Sequence, residues 1–364
     1  KTVDVALVEI GGTVGDIESL PFLEAARQMR FDLGEENVCY VHLTLVPHIG
    51  TAGELKTKPT QHSVQELRRI GIQPDILLCR TDRYLDSDIK AKIGLFSNLS
   101  PENVITATAV DNIYKLPLVF HDEGLDTRIC RRLHLKTRTP DLRSWNDFID
   151  RVTNTVRTAR IAIVGKYVDL KESYKSLNEA FVHAAAAHRV ALQIDYLDAE
   201  VLEPKAYASM DRRAEVLGSY DGLMIPGGFG VRGIEGKIRA IEYARTRDVP
   251  CFGICLGMQL MAVEFARNVL GISNANSGEF VANPMKHKNL IINYMKGQYS
   301  ADKGGTMRLG AYDCKLSANS LAREAYKKDR IAERHRHRLE FQNPYRKRFE
   351  SHGMRITGVN PQHN

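Results

Sequence analysis

Pro250-Cys251-Phe252-Gly253-Ile254-Cys255-Leu256-Gly257-Met258-Gln259 is the stretch whose reading decides the fold. A short apolar segment enters a turn pinched by two glycines and leaves it as a long apolar helix. Cys255 stands at the point of that turn, in the pattern G-x-C-x-G. This is the thiol counterpart of a nucleophile elbow, a strained strand-to-helix turn that pushes a reactive atom out of the backbone. The helix amino terminus behind the cysteine is expected to favour thiolate over thiol. Spacing alone equally allows a structural cysteine beside a helix start, because free cysteines are often buried.

Working outward, Tyr220-Asp221-Gly222-Leu223-Met224-Ile225-Pro226-Gly227-Gly228-Phe229-Gly230 reads as a buried strand ending in a glycine-rich loop. Such a loop can aim backbone N–H groups at an oxyanion beside the nucleophile. Gly228, Gly230 and Gly233 also match G-x-G-x-x-G. A dinucleotide site needs an acidic residue about 20 positions on, and Asp248, which lies in that range, belongs to the run into the next strand. That reading is discarded. So is a phosphate loop at Gly236-Lys237, where Val231 takes the first glycine position and Ile238 replaces Ser/Thr.

The chain of 364 residues is consistent with about two domains. With 43% hydrophobic and 26% charged residues, each half can bury a core of its own. No apolar run approaches the ~20 residues of a membrane span and no signal-type segment opens the chain, so a membrane is excluded as partner. Six cysteines at irregular spacing, with no CxxC pair, fit a reducing, cytoplasmic setting. The net charge of +7 comes from scattered basic residues, which small phosphate ligands explain as well as nucleic acid. Both ends look cut: Lys1 replaces an initiator Met, and Asn364 closes no natural element.

The apolar run over residues 3–10 is expected to be a buried parallel strand. Its carboxyl end delivers Glu9, then Gly11, Gly12 and Gly15, then a helix opening near Pro21. Ligands of open α/β sheets gather at such strand ends; a carboxylate there is either a metal ligand or a solvated loop charge. Strands over 38–46, 75–80 and 104–110 alternate with helices over 63–70, 88–96 and 125–135. Pro59 biases Lys58 toward an extended conformation, projecting Lys56 and Lys58 to opposite sides; a solvated lysine pair is the alternative. Domain boundaries are expected at 1–140, a linker helix within 141–158, and 159–364. A helix over 145–156, with the single Trp145, is expected to pack between the halves. The second half restarts a βα pattern, with strands over 161–165, 191–196, 222–225 and 250–254 and helices over 174–188 and 256–270. The lysine- and asparagine-rich run over 281–303 reads as a loop. In Glu333-Arg334-His335-Arg336-His337-Arg338 a strand would place the arginines on one face, whereas a solvated basic edge or helix end is the plainer reading.

The loop at 226–230 with Gly253-Ile254-Cys255-Leu256-Gly257-Met258-Gln259 resembles the triad-type (class I) glutamine amidotransferases. Adding the motifs at 9–19, 56–61, 276–280, 304–310 and 333–338, nearly the whole chain resembles the CTP synthase family. The resemblance implies an α/β fold of two doubly wound, mostly parallel sheets: a P-loop-type synthase (amidoligase) domain lacking its N-terminal part, then a glutaminase domain incomplete at its C-terminus. It implies Cys255 as catalytic nucleophile, with Gly228, Leu256, Gly257, Met258, Gln259, Glu279 and Arg338 around glutamine. For UTP and the inhibitor CTP it implies Asp16, Ile17, Glu18, Lys56, Thr57, Lys58, Pro59, Thr60, Gln61 and Lys92; for ATP, Thr108, Ala109 and Val110. Glu9 would hold the Mg²⁺ that accompanies ATP, GTP would activate, and the assembly would be a homotetramer. Family members place the catalytic His in an H-P-E motif that does not occur before Asn364, so His335 and His337 are declined as bases. On this reading the chain as given lacks a phosphate-cradling loop and should not itself make CTP. A different synthase fused to the same glutaminase, or a non-catalytic nucleotide-binding fragment, are the alternatives.

Overall fold

The computed structural model describes residues 3–50, 53–166, 171–295 and 307–362. Contacts divide the chain into two compact units between Ile149 and Asp150. The first carries α1 (Leu20–Leu33), β1 (Val41–Leu45), the hairpin strands β2 (His48–Ile49) and β3 (Glu54–Leu55), α2 (Lys58–Arg69), β4 (Ile76–Thr81), α3 (Ser87–Ser97), β5 (Val104–Thr108), α4 (Leu116–Asp122) and α5 (Leu125–Arg132), followed by α6 (Arg143–Thr153).

Strands β1, β4 and β5 form a parallel sheet in that order. Leu77, Cys79 and Val104 in its strands pack with Val64 of α2 and Ile93 of α3, all almost wholly buried. Each fully buried aliphatic chain contributes about 1.5–3 kcal/mol, so this cluster is what holds the helices to the sheet. A second group joins Leu23 of α1 to Leu67 and Ile72.

Residues 3–10 correct the expectation of a strand. They pair with no strand, and Val3, Leu7 and Val8 are 71%, 93% and 75% exposed. An apolar run becomes a strand only where a neighbour offers a ladder, and the described three-stranded sheet does not take this one. Lys58 is a second correction. It opens α2 instead of extending, with Pro59 in the first turn, where its missing N–H costs nothing. The expected 145–156 helix is α6, and the Trp145 indole N–H donates to Tyr114 O at 2.8 Å inside the first unit.

The second unit carries β6 (Arg157–Gly165), α7 (Lys175–His188), β7 (Val190–Asp198), α8 (Met210–Leu217), β8 (Gly222–Ile225), α9 (Ile234–Thr246), β9 (Cys251–Gly253) and α10 (Leu256–Asn268). After these come β10 (Asn276–Ser277), β11 (Leu290–Tyr294), β12 (Arg308–Leu316), α11 (Leu321–Tyr326), β13 (Arg330–His337), β14 (Leu339–Phe341), α12 (Arg346–Ser351) and β15 (Gly358–Val359). The parallel sheet runs β7-β6-β8-β9. Its winding reverses between β6 and β8, and the carboxyl ends flanking such a reversal form the natural ligand crevice.

Ile234, Ile238 and Ile241 of α9 and Leu256, Leu260 and Val263 of α10 recur at the spacing of one helix face and are buried. Glu264, 1% exposed, receives the Arg245 guanidinium at 2.7 Å and so ties α10 to α9. All six cysteines are free, consistent with the irregular spacing. The segment over 281–303, expected as a loop, contains β11, which pairs with β10 and β14; residues 296–303 lie outside those described. Long β12 pairs with β13 over eight positions and with β15. Residues 304–306 of the motif at 304–310 lie outside the described residues, and Arg308–Gly310 opens β12.

Candidate active site

Cys255 sits between β9 and α10 with φ 54° and ψ −108°, a backbone region that non-glycine residues rarely occupy. The two flanking glycines explain how the turn closes. A Cβ on Gly257 would stand 2.0 Å from the Ile225 carbonyl oxygen, and one on Gly253 would stand 2.5 Å from the Gly257 carbonyl carbon. Ile254 N–H donates to Ile225 O at 3.0 Å, and Gln259 N–H to Cys255 O at 3.1 Å, opening the helix. The side chain of Cys255 is thereby displayed at the sheet's carboxyl edge, and the residue is exposed.

The loop after β8 faces it. A Cβ on Gly227 would meet the Cβ of Cys255 at 3.5 Å, ordinary contact. Gly230 N–H donates to Glu279 Oε1 at 2.9 Å. Lys166, at the end of β6 and 4% exposed, donates to Phe229 O at 3.0 Å and to Gly230 O. Gly228, Cys255, Leu256, Gln259, Glu279 and Arg338 line one cleft together with Phe229, Met307, Arg336, His337 and Leu339. Gly257 and Met258 stand outside it: the first is packed under the elbow, the second is 48% exposed.

The thiol is pushed up from its ordinary value, first by burial, while the Leu256 N–H pulls it down and the Glu279 carboxylate pushes it up. This corrects the expected preference for thiolate. One N–H at the helix start does not outweigh desolvation with a carboxylate nearby. Cys251, four residues earlier in β9, is pushed much further by burial, up to about 12.

Alternation along β13 leaves Arg334 and Arg336 exposed and His335 and His337 half-buried. Leu339 O can only accept, so His337 Nδ1, 2.9 Å away, carries a proton. His337 Nε2 then accepts from His335 Nδ1 at 2.8 Å. Both ring nitrogens of His337 are engaged although it lines the cleft, and burial holds both imidazoles below their usual range. His337 thus has no free ring nitrogen for the Cys255 proton, and His335 is not among the residues lining the cleft. Sequence reasoning missed Lys166 as a neighbour of the loop; its position after an apolar strand was the available signal.

In the first unit, Asp16 accepts from Thr13 N–H at 2.9 Å, and Ile17 and Glu18 are exposed at the start of α1. Thr57, Thr60 and Gln61 are buried. Thr60 donates to Leu45 O at 2.9 Å, and Gln61 to Thr57 Oγ1 at 3.0 Å. Lys56 pairs with Glu54, whose carboxyl also feels Lys92, so these charges do share one neighbourhood. Lys58 and Pro59 are exposed. Thr108, Ala109 and Val110 form the turn after β5, with Ala109 N–H on Thr81 O at 2.9 Å. Glu9 stands in the exposed 3–10 segment, and the described residues hold no group of three His, Cys, Asp or Glu able to bind a metal. Glu9 alone, a solvated carboxylate, does not complete a Mg²⁺ site.

Residues 169–364 match the glutamine amidotransferase class-I family, and residues 1–135 match the CTP synthase N-terminus. This chain belongs to the class I glutamine amidotransferases. Over its full length this amidotransferase is similar to the CTP synthases of Hydrogenobaculum sp. (52% identical, 99% of this chain, 65% of that protein) and Bdellovibrio bacteriovorus (53%, 98% and 66%). It thus spans about 65% of the length of those relatives. The solved glutaminase domain of Trypanosoma brucei CTPS with bound acivicin is 37% identical, with a TM-score of 0.50 covering 56% of this chain and 75% of that one. No helix among the described residues is long and apolar enough to cross a membrane.

Proposed function

We propose that the amidotransferase unit releases ammonia from L-glutamine and that the whole protein uses it, with ATP, to convert UTP into CTP. The observation that carries the reading is the convergence on one cleft of a strained Cys255, the glycine-rich loop, Glu279 and Arg338. The Cys255 thiolate adds to the side-chain carbonyl carbon of glutamine, and the carbonyl electron pair moves onto oxygen. Backbone N–H groups of the loop and of Leu256 stabilise that oxyanion; removing one such donor typically costs ~10²–10³ in kcat. The C–N bond breaks, ammonia leaves with a proton, and water hydrolyses the thioester to glutamate.

Glu279 would receive the substrate α-ammonium, and Arg338 its α-carboxylate, which fixes the amide over the thiol. In the first unit the exposed Ile17, Glu18, Lys58 and Lys92, with Asp16 and Lys56, would bind UTP or the inhibitor CTP, and the segment over Thr108–Val110 would bind adenine. A cytoplasmic homotetramer activated by GTP completes the proposal. Similarity above 50% along the whole chain to proteins named CTP synthase favours this over fusion to another synthase. In the full-length protein, Cys255→Ala should abolish glutamine-dependent CTP formation and leave ammonia-dependent formation within about twofold. Loss of both activities would make Cys255 structural, and loss of neither would remove it from the chemistry.

A further inference from the structure

Two lysines lie beneath the glycine-rich loop of the second unit. Lys237 of α9 has none of its surface exposed and is among the largest fully buried side chains described. It shares the buried face of the helix with Ile234 and Ile241. An ammonium has three donors, yet among the described residues its hydrogen-bond partner is Pro226 O alone, at 3.4 Å. Burial and then the Lys166 charge hold its proton affinity down, to about 8. Burying a charge this poorly compensated costs stability that an apolar side chain of equal length would not.

The geometry gives that charge a task. In a trans peptide the C=O and the following N–H point in opposite directions. The Pro226 carbonyl turned into the core toward Lys237 therefore turns the Gly227 N–H outward, on the loop beside Cys255. The same device recurs three peptides later. Phe229 O is taken by Lys166, and the N–H at the other end of that peptide, Gly230, meets Glu279.

We infer that Lys237 is a positioning residue: by holding the Pro226 carbonyl in the core, it presents the Gly227 N–H to the oxyanion that forms at Cys255. This rests on the reading of Cys255 as nucleophile, and the test separates the two. The probe is 5-oxopentanoate, the aldehyde counterpart of the glutamine side chain. Its carbon takes the Cys255 sulfur while the carbonyl pair goes to oxygen and is protonated, so a thiohemiacetal forms with no leaving group and no hydrolysis. Iodoacetamide is the control, because displacement of iodide by the thiolate creates no oxyanion.

In the chain carrying Lys237→Met, the aldehyde should bind about tenfold or more weakly, the alkylation rate should stay within about twofold, and the melting midpoint should not fall. Unchanged aldehyde affinity overturns the inference. A parallel loss of affinity, alkylation and melting temperature also overturns it, since the lysine would then be structural. If the unaltered chain forms no adduct, the Cys255 reading fails first. Should Lys237→Met not fold, ¹⁵N-lysine labelling of the unaltered chain decides: adduct formation must shift the Lys237 Nζ resonance, and an unmoved signal refutes the coupling.

Discussion

Gly257→Ala tests the elbow directly. The added methyl would stand 2.0 Å from Ile225 O, 2.8 Å from Ile225 C and 3.1 Å from Ile225 Cβ. Those atoms are main chain and stem of a fully buried strand, so they cannot rotate away as the end of a flexible side chain would. The elbow must move, and in moving it gives up the Ile254 N–H bond to Ile225 O. Overpacking a tight core costs 1–3 kcal/mol and a lost hydrogen bond about 1. A destabilisation of about 3 kcal/mol lowers the transition of a unit this size by roughly 6–12 °C. Gly227→Ala is the control: its methyl would meet Cys255 Cβ at an ordinary 3.5 Å, and melting should shift by less than about 2 °C. Calorimetry of both variants, with iodoacetamide labelling of Cys255, reads the difference. If Gly257→Ala melts within about 2 °C of the parent and labels at the parent rate, the close approach of helix and strand is wrong.

Glu279→Gln should lower the midpoint of the Cys255 alkylation profile, because the carboxylate raises the thiol's proton affinity; a profile that stays or rises contradicts this. His42 is held below the ordinary imidazole value by burial, with Nε2 2.9 Å from Ser63 Oγ. The unfolded chain therefore takes its proton first, so the contribution of His42 is complete above about pH 6.5 and is lost as pH falls below it. Melting measured from pH 7.5 to 5 should fall more steeply for the parent than for His42→Gln, and equal slopes would remove the effect. Glu18, exposed at the start of α1, should serve inhibition by CTP, not turnover. In the full-length protein Glu18→Lys should raise the CTP concentration for half-inhibition severalfold at near-normal rate, and unchanged sensitivity would refute it.

The α/β alternation was legible because strands such as Gly222–Ile225 and Ile76–Thr81 are continuous apolar runs bounded by turn residues, and α10 begins where its apolar spacing begins. The same signal failed at 3–10, since an apolar run records what a strand could bury and not whether a neighbour is present. Strands β12 and β13 were mostly hidden by arginines, lysines and other polar residues, the composition of a half-exposed antiparallel pair, and the short apolar β11 was passed over because it lies in a lysine- and asparagine-rich run. At the site, the elbow was readable from local pattern, whereas Glu279 was pointed to only by the family resemblance. Lys166 and Lys237 were not readable, because a lysine in a sequence carries no mark of being buried, and their role comes from carbonyls that only the fold brings over them.

The backbone of Cys255 carries a consequence of another kind. A side chain held at φ 54°, ψ −108° costs about 1–3 kcal/mol that glycine would not incur. On the proposed role of Cys255, the residue that does the chemistry is the wrong one for its own place in the chain. Cys255→Gly should give a protein that melts higher than its parent and hydrolyses nothing. On that role, a lineage released from the need for glutamine-derived ammonia would be free to take glycine there, and a cysteine kept at that angle would record continued use.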